Sequence, residues 1–349
     1  MGVRGMTPMN TGVSQVFIEG VTRRFFGSFL IAQKGTTDPQ KKLALRGEII
    51  KMILGKKAYP MKIAELFGKG KTVFSCEVFP PKKTSPVDSI YKTLDGLKDI
   101  KPDFISVTYG AGGSSTVNQS TREIASIIQN QYHIPAMAHV TCVACTKGEV
   151  TELLAGLKQD GVENVLALRG DRNPNFPPKT DFAHADELVA FIRRRGDFGV
   201  SGACYPEGHP ESPDLITDVR HLKKKVDAGA QHLVSQLFFD NDDFFRFLER
   251  CRLAGIEVPI EAGIMPVLNK ASIERMVSMC GASLPHKLTR LLARYGDHPE
   301  ALREAGIAYA IDQISDLIAA GVDGIHLYTM NNPQVAKQIS DSVASIRRV

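Results

Sequence analysis

The chain has 349 residues, of which 43% are hydrophobic and 23% charged, as in an ordinary soluble globular protein. No stretch approaches the roughly 18 apolar residues of a membrane helix. Six irregularly spaced cysteines do not form a disulfide framework, so we expect free thiols and a cytoplasmic location. The formal net charge is +5, but residues 1–60 hold ten Lys or Arg against three Asp or Glu, which leaves −2 for the remainder. We therefore expect neither a membrane nor a nucleic acid as a partner.

Residues 1–60 differ from the rest of the chain in having no sustained hydrophobic periodicity. Val21–Ala32 is a short basic and apolar patch, and no small-residue cleavage pattern follows it, which argues against a signal peptide. A transit peptide fits only in part. We interpret 1–60 as an N-terminal extension that is disordered or reflects a misassigned start, with Met61 as the natural first residue. Met61–Phe67 then predicts a short lead-in helix that caps the bottom of the domain that follows.

Beyond Lys71, eight short apolar segments alternate with stretches long enough for helices. The segments are Val73–Phe79, Phe104–Thr108, Ala136–Thr141, Asn164–Leu168, Gly199–Tyr205, His232–Gln236, Val258–Ile264 and Gly324–Tyr328. Alternating strands and helices indicate parallel strands joined by crossovers. Eight such units over about 270 residues predict an α/β fold with 61–349 as a single closed (β/α)8 TIM barrel.

Helical spacing of apolar residues marks the connections between these strands. The predicted helices are Pro86–Lys98, Val117–Gln131, Lys147–Gln159, Asp214–Asp227, Asp243–Ala254, Ser272–Cys280, Pro285–Tyr295, Pro299–Ala320 and Asn332–Ile346. The fourth connection, Arg172–Ala183, is rich in proline and polar residues and predicts an ordered loop over the barrel mouth. Active sites of this fold lie at the carboxyl ends of the strands, so polar residues that end the strands are the candidates for function.

Glu77 lies inside an otherwise apolar first strand, FSCEVFPP. A carboxylate there either points into the barrel mouth or is buried against an Arg or Lys, because burial of an unpaired charge is costly. In the first case, apolar walls are expected to raise its pKa and make it a general acid. Both readings stay open at this point.

The fourth strand ends in Leu168-Arg169-Gly170-Asp171. Glycine permits close approach of the backbone to a ligand, and Arg169 offers a planar fork for phosphate or carboxylate. Asp171 brings a negative charge to the mouth. The alternative is a simple salt bridge between Arg169 and Asp171 across the turn.

Histidines near the ends of the third and fifth strands raise the question of a metal. His139, His209 and Glu207 could converge, but no HxH or HExxH spacing supports a site, so we expect none. Cys142 and Cys145 form a lone CxxC, which we interpret as two reduced cysteines.

Two further motifs are weak. Gly110–Ser115 resembles a phosphate-binding loop, but it is neither GxGxxG nor a Walker motif. The basic runs Lys223–Lys225 and Arg193–Arg195 are typical of solvated helix faces.

Taken together, the strand ends resemble the methylenetetrahydrofolate reductase family from about Met61 to Val349. The matching blocks, in order, are FSCEVFPPK, ISVTYGAGG, AHVTC, VLALRGD, CYPEGHPE, KKKVDAGAQHLVSQLFFD, GIMPVLN and HLYTMN. Residues 1–60 have no counterpart in the short bacterial form. Eight ordered motifs are far more specific than any one of them.

The resemblance implies an FAD-dependent enzyme that reduces 5,10-methylenetetrahydrofolate to 5-methyltetrahydrofolate for methionine synthesis and one-carbon metabolism. NAD(P)H or a redox partner protein would reduce the flavin. Glu77 matches the general acid that assists protonation at N10 of the substrate. The flavin hydride would then reduce the resulting 5-iminium cation, and Asp171 matches the carboxylate that stabilises that cation and modulates the flavin potential.

The resemblance also assigns binding residues and implies a homo-oligomer. Gln236 and Met276 match substrate-binding positions. The positions that match flavin contacts are Thr108, His139, Arg169, Gly170, Asp171, Tyr205, His209, Asp218 and Lys225. Two departures put the use of a pyridine nucleotide in question: Asn331-Asn332 stands where the family commonly has Asn-Arg, and Met276 stands where an aromatic is frequent.

Three alternatives remain at this level. One is an FAD- and folate-binding subunit of a larger electron-transfer complex without direct use of NAD(P)H. Another is a proline dehydrogenase-like flavin barrel, which should lack the LRGD and YPExHPE motifs. The last is a metal-dependent barrel hydrolase, and the lack of convergent ligand spacing counts against it.

Overall fold

The computed structural model describes residues 62–81, 88–109, 115–143, 145–171 and 179–348. The predicted extension 1–60 lies outside the described residues. So do most of the glycine-rich loop after the second strand and most of the fourth connection.

Eight parallel strands form a closed barrel in which each strand pairs with its neighbours in chain order and the first pairs with the last. The strands are β1 Val73–Val78, β2 Phe104–Val107, β3 Ala136–Thr141, β4 Asn164–Leu168, β5 Gly199–Cys204, β6 His232–Ser235, β7 Ile260–Ile264 and β8 Gly324–Tyr328. Their near-continuous burial is that of strands covered on both faces. The predicted (β/α)8 barrel is confirmed.

Helices occupy the connections. They are α1 Asp88–Lys98, α2 Ser115–Asn130, α3 Lys147–Gln159, α4 Ala185–Arg195, α5 Leu215–Asp227, α6 Asn241–Leu253, α7 Lys270–Cys280, α8 His286–Tyr295, α9 Pro299–Ala319 and α10 Pro333–Ser342. Nine of these correspond to predicted helices. Among the described residues, no helix has both the length and the apolar character needed to span a membrane.

Helix α4 was not predicted, although its sequence contains the usual signals. Leu188 and Ile192 are four residues apart and buried, and acidic residues occupy the first turn. Its last turn is Arg193–Arg195, so this basic run complements the negative end of the helix dipole. The proline-rich segment before it obscured the start.

A 3-10 helix, Ile63–Leu66, closes the bottom of the barrel, as the lead-in prediction stated. Ile63 and Phe67 join one apolar cluster with Phe104 and Met137, whose side chains come from the strands. The backbone N–H of Ile63 donates to Asn164 Oδ1 at 2.9 Å. The barrel interior is therefore sealed from below and can be approached by ligands from the carboxyl ends of the strands.

The connection after β7 contributes three helices, α7 to α9, and a separate apolar cluster beside the barrel mouth. Helix α9 lies very close to the preceding loop at Gly306, where a Cβ atom would stand 1.7 Å from the Val267 carbonyl oxygen. A glycine is required at that contact.

Candidate functional site

Glu77 is the centre of the polar cluster at the barrel mouth. Its side chain is 17% exposed, and its Oε2 lies 3.5 Å from the Nε2 atoms of both His139 and His326. Ser106, which is opposite Glu77 in the β1–β2 register, lies 3.4 Å from His326 Nε2 through its hydroxyl oxygen. The alternative that Glu77 is buried against an Arg or Lys is wrong, because its partners are histidines.

The expectation that apolar walls raise the pKa of Glu77 is also wrong. Burial does raise this pKa, but a hydrogen bond from His326, the charges of His139 and His326, and a hydrogen bond from Ser106 outweigh it. The pKa of Glu77 therefore lies below its usual value of 4.5. The ionised form of Glu77 is therefore favoured in this cluster.

His139 is almost fully buried in β3, and burial lowers its pKa to about 4. The imidazole is thus neutral near pH 7. Its Nε2 atom has no hydrogen-bond partner among the described residues. A buried polar atom of this kind at the mouth of a barrel is suited to meet a polar group of a ligand.

The residues that follow the last strand fix the backbone around Glu77. Thr329 donates its hydroxyl to the carbonyl oxygen of Glu77 at 2.6 Å. The side chain of Asn331 makes two hydrogen bonds with the backbone of Phe79. Its Oδ1 accepts from the N–H at 3.1 Å, and its Nδ2 donates to the carbonyl oxygen at 2.8 Å. Met330 and Asn331 both have a left-handed backbone conformation, with φ of 51° and 53°, so these two hydrogen bonds are made at a local conformational cost.

Asn332, one of the two departures from the family pattern, has a structural function. Its side chain accepts from the N–H of Val335 at 3.2 Å and caps helix α10. The position therefore stabilises the start of the final helix.

Arg169 makes a bidentate ion pair with Glu211, with nitrogen–oxygen distances of 2.5 and 2.8 Å. The alternative of a salt bridge between Arg169 and Asp171 is therefore wrong, because the partner of Arg169 is Glu211. Gly170 has a φ of +83°, and a Cβ there would stand 2.9 Å from Val143 Cγ1 and 3.0 Å from Thr141 Cβ. Both features fix the turn after β4.

Asp171 is exposed and acts on its surroundings through its charge. After burial, that charge is the next cause that raises the pKa of Tyr205. It also adds to the burial that raises the pKa of Cys280 to about 11. Glu77 has the same kind of effect on Tyr328, because burial and the charge of Glu77 raise the pKa of the Tyr328 phenol. The two predicted catalytic carboxylates thus act on the same tyrosine-lined mouth.

Four of the remaining predicted flavin positions follow β5 in the chain. Tyr205 packs edge-on against His209, with ring centroids 4.7 Å apart. Asp218 is buried in the first half of α5 and accepts from the Ser212 hydroxyl at 2.7 Å. Lys225, two turns further, reaches back along β5 to donate to the Ala203 carbonyl at 2.5 Å.

Thr108 stands where β2 ends. Its backbone N–H donates to Val78 at 2.9 Å, and its carbonyl accepts from the Thr121 hydroxyl at 3.0 Å. The threonine is thereby fixed at the end of the strand, just before the glycine-rich loop.

The two predicted substrate positions lie after β6 and on α7, and the backbone N–H of Gln236 donates to Cys204 at the end of β5. Gln236 follows β6, and its side-chain oxygen accepts from the N–H of Leu237 at 2.9 Å. Met276, on α7, packs partly buried against the apolar cluster that also includes Leu237 and contacts Tyr328. No described contact brings either residue to Glu77.

Sequence reasoning did not single out His326, Ser106 or Glu211 as site residues, whereas Tyr328 was a candidate as the polar end of the last strand. The available signal was the two-residue period of a strand, because His326 and Tyr328 project to the same face. Which of the two faces points into the barrel beside Glu77 depends on the β1–β8 register.

Metal ligands do not converge in the described part of the chain, where no group of three or more His, Cys, Asp and Glu could hold an ion. None of the six cysteines, all of which the structure describes, forms a disulfide, and burial raises the pKa of Cys142 to about 11. Burial thus favours the protonated thiol of Cys142.

The fold and the site together define a (β/α)8 barrel protein whose mouth carries a carboxylate between two histidines. The model of the family described as methylenetetrahydrofolate reductase matches residues 62–344. The chain belongs to the methylenetetrahydrofolate reductase family.

Individual relatives agree. The chain is 34% identical over 284 residues to a 5,10-methylenetetrahydrofolate reductase of Pectobacterium carotovorum, covering 81% of this chain and 93% of the relative. The chain is 33% identical to the protein of the same name from Escherichia coli K12, covering 78% of this chain and 90% of the relative. It is 39% identical to "Methylenetetrahydrofolate reductase (NADH) 1" of Arabidopsis thaliana over 77% of this chain. The chain spans about half the length of that plant relative, 48%.

A solved structure shares the fold. It is an uncharacterised protein from Clostridium thermocellum that binds two copies of 5-methyl-5,6,7,8-tetrahydrofolic acid. The TM-score is 0.56 at 12% identity, covering 80% of this chain and 96% of that one. At this identity the likeness establishes the fold alone.

Proposed function

We propose that this protein is a flavin-dependent enzyme that reduces 5,10-methylenetetrahydrofolate to 5-methyltetrahydrofolate, supplying methyl groups for methionine synthesis. The observation that carries the proposal is Glu77, a partly exposed carboxylate at the barrel mouth, 3.5 Å from two histidines. The names of the bacterial relatives support the substrate. The plant relative's name supports NADH as the electron donor.

The residues at the mouth fit FAD, which would supply the hydride when bound. His139 offers a buried ring nitrogen without a hydrogen-bond partner among the described residues, suited to a polar edge of the flavin. Arg169 and Lys225 are the cations that would hold the diphosphate, and Tyr205 and His209 offer aromatic surface. The positive φ of Gly170 keeps that turn free of a side chain.

In the proposed reaction, Glu77 delivers a proton to N10 of the substrate. Cleavage of the bond between N10 and the methylene carbon opens the five-membered ring and leaves a 5-iminium cation. The negative charge of Asp171 stabilises that cation. Gln236 and Met276 are assigned to the bound folate.

The test uses the purified full chain. We expect a yellow protein with the absorption spectrum of bound FAD, bleached anaerobically by NADH more rapidly than by NADPH, and restored by 5,10-methylenetetrahydrofolate. A colourless protein that cannot be reconstituted with FAD would contradict the proposal. A flavin that folate restores after chemical reduction, but that neither nucleotide bleaches, would point to a partner protein as the donor.

A further inference from the structure

A second glutamate lies deep inside the barrel, below the proposed site. Glu261, on β7, is completely buried. Gly324 makes room for it, because a Cβ at that position would stand 2.7 Å from Glu261 Cγ. Burial of a carboxylate is costly unless specific partners meet it, so its contacts call for an explanation.

Those contacts form a continuous chain that leads to Glu77. Ser75 donates its hydroxyl to Glu261 Oε1 at 2.9 Å. The same Ser75 oxygen lies 2.6 Å from His326 Nδ1, and His326 Nε2 lies 3.5 Å from Glu77 Oε2. Ser75 and His326 are fully buried, so water does not compete for these bonds.

The proton count of this chain fixes the form of the histidine. A carboxylate can only accept, and the Ser75 hydroxyl has one proton, which it gives to Glu261. Its oxygen must then accept from His326, which places a proton on Nδ1. The Nε2 atom is left to face Glu77.

With Nδ1 protonated, Nε2 is the ring atom that faces Glu77 and can share a proton with it. A proton held by this pair sits either on the carboxyl, which donates to a neutral Nε2, or on the imidazolium, which donates to the carboxylate. The hydroxyl oxygen of Ser106 lies 3.4 Å from the same Nε2 atom. The neutral Nε2–H form, in which Nδ1 is bare, would leave Ser75 without its donor.

We propose that Ser75 and Glu261 are positioning residues that hold His326 in the Nδ1–H form, so that the Glu77–His326 pair retains one proton for the acid step. The use of the proton in the acid step rests on the proposed function. The location of the proton on His326 Nδ1 does not. The proton leaves the pair for the substrate nitrogen as the nitrogen–carbon bond breaks. The deprotonated pair then takes another from solvent before the next turnover.

The location of the proton is tested on the wild-type full chain by 15N NMR of labelled histidine side chains, with His326 assigned through bonds to its backbone. We expect Nδ1 of His326 to carry a proton, whether or not Nε2 also does. A neutral His326 protonated at Nε2 alone would overturn the proposal without any variant.

Ser75→Ala tests the consequence. We expect the ring to change to the Nε2–H form. The rate constant for folate reduction should fall about tenfold or more, with the half-saturating folate concentration and the flavin reduction by the donor unchanged. Ser75→Thr, which restores the hydroxyl, should recover most of the rate. An Ala variant with the wild-type tautomer and folate rate would overturn the proposal.

Ser201→Ala is the matched control. Ser201 is also buried, and its hydroxyl makes an equivalent contact with a buried histidine, 2.9 Å from His232 Nδ1, on the far side of Glu261. We expect the His326 tautomer and the folate rate to be unchanged. If Ser201→Ala slowed folate reduction as much as Ser75→Ala, loss of packing would explain both and the proposal would fail. A wild type with no folate turnover would contradict the proposed function alone, and the tautomer would still decide the inference.

Discussion

Two glutamates in the same barrel have different surroundings. Glu77, at the mouth, keeps 17% of its side chain exposed and lies between His139 and His326. Glu261, near the bottom, is fully buried, and its Oε2 lies 3.1 Å from His232 without the alignment of a hydrogen bond. Phe67 of the lead-in segment stacks on that histidine at 4.8 Å. Access to ligand, rather than the presence of a histidine, distinguishes a carboxylate that can exchange a proton with substrate from one that anchors a network.

The largest effect is expected at the open end. Glu77→Gln should slow folate reduction by about 10²–10⁴-fold, because a general acid is lost, while reduction of the flavin by NADH needs no proton donor and should persist. Stopped-flow absorbance of the two half-reactions separates these. Equal loss in both would mean that Glu77 supports the structure rather than the acid step.

At the buried Glu261, the expected effect of a substitution is a loss of stability. Glu261→Ala removes the buried acceptor of the Ser75 hydroxyl and the carboxylate beside His232, and it should lower the free energy of unfolding by about 3–5 kcal/mol. Denaturant titration followed by circular dichroism measures it. Glu77→Ala is the comparison and should cost less, since water reaches that site. Equal losses would remove the distinction between the two glutamates.

Acidity should affect the mouth through His139. Because burial lowers its pKa from 6.5 to about 4, the unfolded chain binds a proton that the folded chain does not within that window. Stability should therefore fall as pH drops from 6.5 to 4, by up to about 3 kcal/mol from this residue. His139→Gln should flatten the slope in this window. The loss connected with Glu77, whose pKa is lowered, falls below pH 4.5.

Exposed His221 provides the control for this measurement. His221→Gln should keep the wild-type dependence of unfolding free energy on pH. A slope that survives in His139→Gln would assign the acid sensitivity to other groups.

A smaller effect is expected from Asp171→Asn at the rim of the mouth. Loss of its charge should raise the flavin reduction potential and slow folate reduction, by about tenfold or less because the residue is exposed. Spectroelectrochemical titration of the flavinated variant tests the potential. An unchanged potential with full flavin content would count against the electrostatic role of Asp171.

The smallest effect is expected from deletion of residues 1–60. The family match begins at residue 62, and the described lead-in helix begins at Ile63. Flavin content and folate turnover should stay at wild-type levels in the shortened chain. An insoluble or flavin-free product would show that the extension contributes to the barrel.

The sequence predicted much of the fold because each βα unit has its own local periodicity, and the strand bounds differ from the prediction by two residues or fewer. Glu77 was found for the same reason, as a charge within an apolar strand. Two of its partners, His326 and Ser106, could not be found in this way, because they become its neighbours only through strand register. Likewise, the partner of Arg169 is Glu211, 42 residues away, and nothing local distinguishes it from Asp171.

The pairing of the first strand with the last has a consequence for how the protein folds. Ser75 and His326, which meet beside Glu77, are 251 residues apart in sequence. At about 5–20 residues per second, the ribosome releases Glu77 roughly 12–50 s before His326 exists. Contacts that span such a distance are also slow to form, because closure of a long loop costs entropy before it gains any interaction. The acid cluster is therefore complete only when the last strand has paired with the first, which is the same event that closes the ring.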